Sequence, residues 1–149
     1  MVFGRLLQKV RRIGVMIKYK SGYKYQLVQD VVFNVRVFPE RDIITKYIEL
    51  SILGCLTIRS GYAWDGPSGP TIDTKNFMQG SLVHDALYQL MRMRLLDSSW
   101  RLRADQELVR ICKEDGMSKL RSWYVYRSVR RLAASAANPK NAKKVITAP

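Results

Sequence analysis

The chain contains one histidine, His84, and its surroundings have the clearest chemical potential in the sequence. It opens the run His-Asp-Ala-Leu-Tyr at positions 84–88, after the loop Trp-Asp-Gly-Pro-Ser-Gly at positions 64–69. Residues four apart share a helix face, so His84 and Tyr88 lie on one side of a helix. Asp85, rotated by about 100° around the helix, is directed toward the preceding loop.

These residue types predict base-assisted hydrolysis. A second helix, antiparallel to the first, presents Asp105 to His84 and holds the neutral imidazole in one tautomer, which makes it a general base for water. Asp85 and loop carbonyl oxygens offer the all-oxygen ligands of a hard cation such as calcium, which polarises the attacked carbonyl.

Other catalytic chemistries fit the sequence less well. Metal-dependent phosphohydrolases with a His-Asp pair, and zinc sites, need His or Cys ligands beyond His84. A Cys-His nucleophile needs Cys55 or Cys112 beside His84, and a serine triad needs Ser68 or Ser81, but none of these lies in a nucleophile-elbow sequence.

Purely structural roles also compete with catalysis, because buried polar groups in helical cores are normally hydrogen-bonded. Asp-Gly-Pro segments commonly form tight turns, and core aromatic residues commonly hydrogen-bond through their polar edge. The alternatives are a core hydrogen bond for His84, a tight turn at Asp65-Gly66-Pro67, core positions for Tyr88 and Trp64, and an ion pair of Asp105 with Arg101, Arg103 or Arg110.

The loop, the His-Asp-x-x-Tyr run and the later Asp together resemble phospholipase A2. The eighteen positions between Gly66 and His84 match that family's spacing, and the Gly-Pro loop is similar to the disulfide-free phospholipase domain of parvovirus capsid proteins. Ser68 departs from the family by replacing a loop glycine. The resemblance implies the following roles: His84 as base, Asp105 as its orienting carboxylate, Tyr88 as support for Asp105, and Asp85 with the carbonyls of Trp64, Gly66 and Ser68 as calcium ligands.

A longer stretch, about residues 23 to 135, resembles a phage and prophage family called domain of unknown function 1353. That pattern has a sheet segment, a Gly-aromatic-x-x-Asp-Gly-x-Ser-x-Pro loop, His-Asp-x-Leu-Tyr, Ala-Asp and an Arg-rich closing helix. The matching residues are Gly61-Tyr62, Asp65-Gly66, Ser68, Pro70, the run 84–88 and Ala104-Asp105. The resemblance implies a viral origin and an α+β domain, acting in the virion or the host cytoplasm. It also marks Asp65 as a metal ligand or an orienting carboxylate.

The elements that must position these residues form an α+β fold. Runs rich in β-branched and aromatic residues between Val15 and Arg59 predict four or five short strands in an antiparallel sheet, with hairpin turns at Ser21-Gly22 and Pro39–Asp42. Helices are predicted from Asp73 or Thr74 to about Met93, from Asp97 or Ser98 to Gly116, and from Ser118 to about Ala137. The third is expected to bury Trp123, Tyr126, Val129 and Leu132. The first two helices should be antiparallel because their connection is short.

Charge is concentrated at the two ends of the chain. The 149 residues include 26 Lys and Arg against 12 Asp and Glu, a net charge of +14, yet residues 1–13 and 117–149 contain no acid. We expect a basic amphipathic segment at 1–14, one domain at 15–137 and a basic arm at 138–149. Such ends predict contact with anionic membrane, with DNA or with neighbouring virion proteins. The sequence shows neither a signal peptide nor a transmembrane run, and the oligomeric state stays open.

Overall fold

The computed structural model describes residues 17, 19–20, 25–66, 74–132 and 134–141. The expected N-terminal segment 1–14, the Ser21-Gly22 turn, Ser68 and most of the arm lie outside these residues. The strands are β1 (Tyr19–Lys20), β2 (Tyr25–Leu27), β3 (Val31–Asn34), β4 (Ile43–Ile44), β5 (Ile48–Leu50), β6 (Cys55–Ile58) and β7 (Ala63–Trp64). The helices are α1 (Lys75–Arg92), α2 (Arg101–Glu114) and α3 (Lys119–Leu132), with 3₁₀ turns at Ser98–Trp100, Ala134–Ala137 and Pro139–Asn141.

The predicted α+β class is confirmed, with two antiparallel sheets before the helices rather than one. The first has the order β1-β2-β7 and the second β3-β6-β5-β4. The strands missing from the prediction, β4 and β7, have two residues each. Two residues are too few to show an alternation of apolar and polar side chains, so these strands are recognisable only from their pairing with neighbouring strands.

One predicted hairpin is confirmed in its pairing and the other is wrong. Strands β1 and β2 pair with Tyr19 opposite Leu27, as a turn between them requires. Pro39–Asp42 does not join neighbouring strands, because β3 and β4 lie at opposite edges of the second sheet. Strand β6 lies between β3 and β5, with Leu56 opposite both Phe33 and Leu50. All three of these side chains are buried, and their burial favours this order.

The predicted ends of α1 agree closely with the structure, whereas α3 ends at Leu132 and not near Ala137, which lies in a separate 3₁₀ turn. Thr74 is the residue before α1 and Met93 the residue after it. The Asp97 side chain accepts a hydrogen bond from the Ser99 backbone N–H at 2.8 Å and caps the 3₁₀ turn that leads into α2. At the far end, Pro139–Asn141 forms a turn against α1, so these three residues do not belong to an extended arm.

The burial predicted for α3 is only partly right. Tyr126 and Val129 are half-buried, but Trp123 is exposed over 60% of its surface. Ser122 and Val125, three positions apart, face the interior instead. No described helix has the length and apolar character needed to cross a membrane.

One main hydrophobic core joins both sheets to α1. It includes Leu27 and Trp64 from the first sheet, Phe33 and Ile58 from the second, and α1 residues such as Leu87. A smaller cluster fills the space between the three helices: Phe77, Leu108, Cys112, Met117 and Val125. Helix α1 therefore packs against both sheets, and α2 and α3 pack around it on the helical side.

Candidate active site

Helices α1 and α2 pack closely enough to bring their polar side chains together. A Cβ atom on Gly80 would lie 2.5 Å from the Cys112 sulfur and 2.9 Å from the Leu108 carbonyl oxygen, so glycine permits this approach. Farther along α1, His84 and Tyr88 meet Asp105 of α2. Later α1 residues contact earlier α2 residues, which confirms the predicted antiparallel pair.

Asp105 is the shared acceptor of the site. Its Oδ1 lies 2.7 Å from Nε2 of His84 and accepts the Tyr88 hydroxyl hydrogen at 2.6 Å. Its Oδ2 accepts a hydrogen bond from Nη1 of Arg130 on α3 at 2.7 Å, and Nη2 of Arg101 lies 3.9 Å away. The carboxylate is completely buried, so these groups replace its hydration.

Protonation states follow from this geometry. Burial alone would raise the pKa of Asp105, but hydrogen bonds from His84, Tyr88 and Arg130 hold it below its ordinary value of 3.8. Burial likewise opposes the charged form of His84, yet the hydrogen bond to Asp105 and the nearby negative charge of Asp85 raise its pKa above 6.5. Burial and the bond to Asp105 raise the pKa of Tyr88, which keeps its hydroxyl a donor.

The ionised Asp105 fixes the tautomer of His84. A carboxylate only accepts hydrogen bonds, so the neutral imidazole carries its hydrogen on Nε2 and keeps an acceptor lone pair on Nδ1. The Nδ1 atom lies 4.0 Å from Oδ1 of Asp85, whose side chain is about one-third exposed (35%). The His84 ring is therefore oriented by Asp105, and its second nitrogen faces the partly exposed carboxylate of Asp85.

Arg101 joins the site to the end of α3. Its Nε donates to the Tyr88 hydroxyl oxygen at 3.1 Å. Its Nη2 donates to the carbonyl oxygens of Val129 and Arg130 at 3.2 and 2.9 Å. These carbonyls belong to the last turn of α3, where helix acceptors lack intrahelical partners. The same guanidinium thus supports Tyr88 and caps a helix.

The residues before α1 contribute the sequence-predicted loop. Trp64 is buried, and its Nε1–H donates to the Ser81 hydroxyl at 3.1 Å. Gly66 has φ +75°, and a Cβ there would lie 2.4 Å from the Tyr25 ring, so both conformation and space require glycine. Asp65 is exposed, and the third predicted carbonyl ligand, Ser68, is outside the described residues.

The predicted calcium ligands are chemically uniform. Asp85 supplies a carboxylate, and Trp64, Gly66 and Ser68 would supply backbone carbonyls, so every donor atom is an oxygen, as calcium prefers. The partial exposure of the Asp85 carboxylate fits such a role. Over the described ranges, no three His, Cys, Asp or Glu side chains converge as a metal-binding group.

The competing nucleophiles are engaged elsewhere. Ser81 donates its hydroxyl hydrogen to the Met78 carbonyl at 2.9 Å. Burial raises the pKa of Cys112 to about 12, so its thiolate is scarce, and Cys55 lies in β6 away from α1. The His84 nitrogens face Asp105 and Asp85 instead.

One partner of Asp105, Arg130, was not predicted from the sequence. Arg130 follows Asp105 by 25 positions, on a different helix, so no local spacing pointed to it. Among the three proposed alternatives for an Asp105 ion pair, only Arg101 approaches it in the structure, at 3.9 Å.

Comparisons with known proteins found no match: no family model, curated protein or solved structure resembles the chain closely enough to be matched to it.

Proposed function

We propose that the chain is a phage-encoded lipid esterase of phospholipase A2 type, in which His84 activates water. The observation that carries this proposal is the bond between Nε2 of His84 and the buried, ionised Asp105, which leaves Nδ1 as the base. A base oriented by a carboxylate is a recurrent device for proton transfer from water. The proposed phage origin rests only on the sequence motifs that resemble domain of unknown function 1353.

In the proposed reaction, His84 carries one proton from the attacking water to the leaving group. Nδ1 takes one proton from the water whose oxygen attacks the ester carbonyl carbon. When the tetrahedral intermediate collapses, the ester carbon–oxygen bond breaks and His84 returns that proton to the departing alkoxide. Asp105 stabilises the transient imidazolium, and Tyr88 and Arg130 hold Asp105 in position.

Asp85 and the carbonyls of Trp64, Gly66 and Ser68 are the proposed calcium ligands, with Asp65 as an additional oxygen donor. Bound calcium would polarise the ester carbonyl. Asp85 also faces Nδ1 of His84 at 4.0 Å, so the same carboxylate borders the position of the attacking water.

The decisive test measures hydrolysis of a dispersed short-chain phosphatidylcholine by the full chain with calcium. His84→Ala should lower the rate at least a hundredfold, because general-base catalysis contributes roughly 10²–10⁴-fold. His84→Gln keeps a donor toward Asp105 and serves as the folded comparison. Unchanged hydrolysis by a pure, folded His84 variant overturns the mechanism.

Calcium is tested separately by calorimetric titration into metal-free protein. Asp85→Asn should abolish the heat of binding and the hydrolysis together. Asp30→Asn makes the same carboxyl-to-amide change at an exposed ion pair with Arg59 in the sheet region and should leave both intact. Calcium binding that survives Asp85→Asn contradicts the proposed ligand.

A second candidate function is a non-catalytic virion component whose basic ends bind DNA or neighbouring virion proteins. The observation in its favour is that Asp105 links α1, α2 and α3 through bonds from His84, Tyr88 and Arg130, as a scaffold requires. This function predicts that hydrolysis is absent from the parent chain and that salt-sensitive association with DNA or virion proteins is present.

A further inference from the structure

One exposed face of α3 carries large apolar side chains that take no part in the candidate active site. Leu120, Trp123 and Tyr124 are 77%, 60% and 47% exposed. Arg127 and Arg131 are also exposed, and these positions recur at steps of three and four, which places all five on one side of the helix. We call these five residues the α3 face.

The α3 face is also basic. It includes Arg127 and Arg131, and helix α3 contains no acidic residue to offset them. The Arg127 guanidinium lies 5.7 Å from the centre of the Trp123 ring, a cation–π contact at the surface. A partner that covers this face must therefore accept large apolar side chains and offer negative charge.

An anionic bilayer surface meets both requirements. Trp and Tyr side chains favour the headgroup region, where the ring is shielded and the polar edge stays hydrated. Arginines pair with lipid phosphates, and an aliphatic side chain enters the acyl boundary. Nucleic acid offers charge and stacking surfaces but no apolar medium for Leu120, the most exposed residue of the face.

The chain's own N-terminal segment is a less suitable occupant. Residues 1–13 contain four Lys or Arg and no acid. Because like charges repel, that segment and the α3 face do not complement each other, whereas both complement an anionic surface.

We propose that the α3 face binds the chain to bilayers that contain anionic phospholipids. The inference rests on the proposed lipid-esterase function, because the bilayer would be the surface from which the enzyme takes its ester substrate. Binding itself needs no turnover, so the two proposals fail separately.

The test uses the full chain carrying His84→Gln, so that lipid is not consumed, and vesicles of phosphatidylcholine with or without phosphatidylglycerol. Sedimentation should recover the protein only with vesicles that contain phosphatidylglycerol. On vesicle binding, tryptophan emission should shift to shorter wavelength and be quenched less by acrylamide. The change should come mainly from Trp123, which is exposed, whereas Trp64 is buried and Trp100 half-buried.

Paired substitutions locate the binding surface. Arg127→Gln with Arg131→Gln should weaken vesicle binding roughly 30-fold, since each basic residue near an anionic surface strengthens binding about fivefold. Leu120→Ser with Trp123→Ser should weaken it at least about tenfold. Matched controls on the sheet region, Ile44→Ser with Leu53→Ser and Arg36→Gln with Arg41→Gln, alter equally exposed residue types and should change nothing.

Three outcomes decide the matter. Loss of binding in both α3 pairs but neither control supports the inference, even if the parent chain hydrolyses no dispersed short-chain ester, in which case only the proposed function fails. Equal binding by α3 variants and parent overturns it, because another surface is then responsible. A parent that binds duplex or single-stranded DNA through the α3 face, and no vesicle, also overturns it.

Discussion

Asp105 gathers contacts from three helices on a single carboxylate. His84 and Tyr88 reach one oxygen and Arg130 the other, all within hydrogen-bond distance. Its replacement by asparagine keeps the size of the side chain but removes the charge that compensates Arg130. A residue with this many partners has a structural consequence whatever its part in catalysis.

We expect Asp105→Asn to lower the free energy of unfolding by roughly 1–3 kcal/mol, because His84, Tyr88 and the partly exposed Arg130 lose a charged acceptor. Urea unfolding followed by circular dichroism measures the change. Asp30→Asn, at an exposed pair, should alter stability far less. A small effect of Asp105→Asn would mean that Arg130 readily finds solvent and that the network is not a structural link.

The pH dependence of stability follows from two opposite shifts. The pKa of Asp105 is lowered, so its contribution is present above its ordinary 3.8 and lost as pH falls through the folded value. The pKa of His84 is raised, so its contribution is full below 6.5 and lost as pH rises through the folded value. Metal-free protein should be most stable between these two pH values.

His84→Gln tests that assignment. The variant should lose the decline in stability on the alkaline side of 6.5 and keep the decline in acid, because Asp105 still titrates there. Urea midpoints measured across the pH range give both limbs. If the stability of the variant still declined above pH 6.5, a group other than His84 would be responsible for that decline.

At the level of elements, the contact between α1 and α2 sets the distance from His84 to Asp105. Gly80→Ala places a methyl group against the Cys112 sulfur and the Leu108 carbonyl. Alanine favours a helix over glycine by about 1 kcal/mol, but overpacking costs about 1–3 kcal/mol, so a net loss of stability is expected. The rate of hydrolysis should also fall, and by more than the fraction of unfolded protein explains, because the helices that hold His84 and Asp105 move apart.

A double variant provides the control. Cys112→Ala removes the sulfur, so Gly80→Ala should cost less stability in that background than in the parent, which a thermal or urea double-mutant cycle measures. Additive effects would show that the clash with sulfur is not what limits the helix contact.

The helices were largely predictable from local signals, and the sheets were not. Thr74 located the start of α1 within one residue, and Asp97 located the 3₁₀ turn that leads into α2. The pairing of β3 with β6 instead of β4 depends on tertiary contacts that no turn sequence encodes. For the same reason His84, Tyr88 and Asp105 were predictable from helix periodicity and an antiparallel pair, whereas Arg130 was not. The exposure of Trp123 depends on how α3 is rotated against its neighbours.

At the scale of the whole molecule, Arg110 connects the helices to the second sheet. Its Nη2 donates to the Asn34 carbonyl at 3.0 Å, and its Nε donates to the buried Glu107 at 3.0 Å. We expect Arg110→Met to destabilise the fold by roughly 3–5 kcal/mol, because Glu107 remains buried without its partner.

The double variant Glu107→Leu with Arg110→Met should recover most of that loss, since an apolar pair carries no desolvation penalty. Chemical unfolding of the single and double variants gives the comparison. If the double variant is no more stable than the single, the link to Asn34 of β3 matters more than the charge on Glu107.

The close approach at Gly80 has a kinetic consequence. The Cys112 thiol lies fully buried against that glycine, and burial raises its pKa to about 12, whereas Cys55 is half-buried. A thiol-modifying reagent therefore reaches Cys112 only during moments when α1 and α2 separate. With reagent in excess, the rate of its modification relative to that of Cys55 reports how often the helix packing around Cys112 opens.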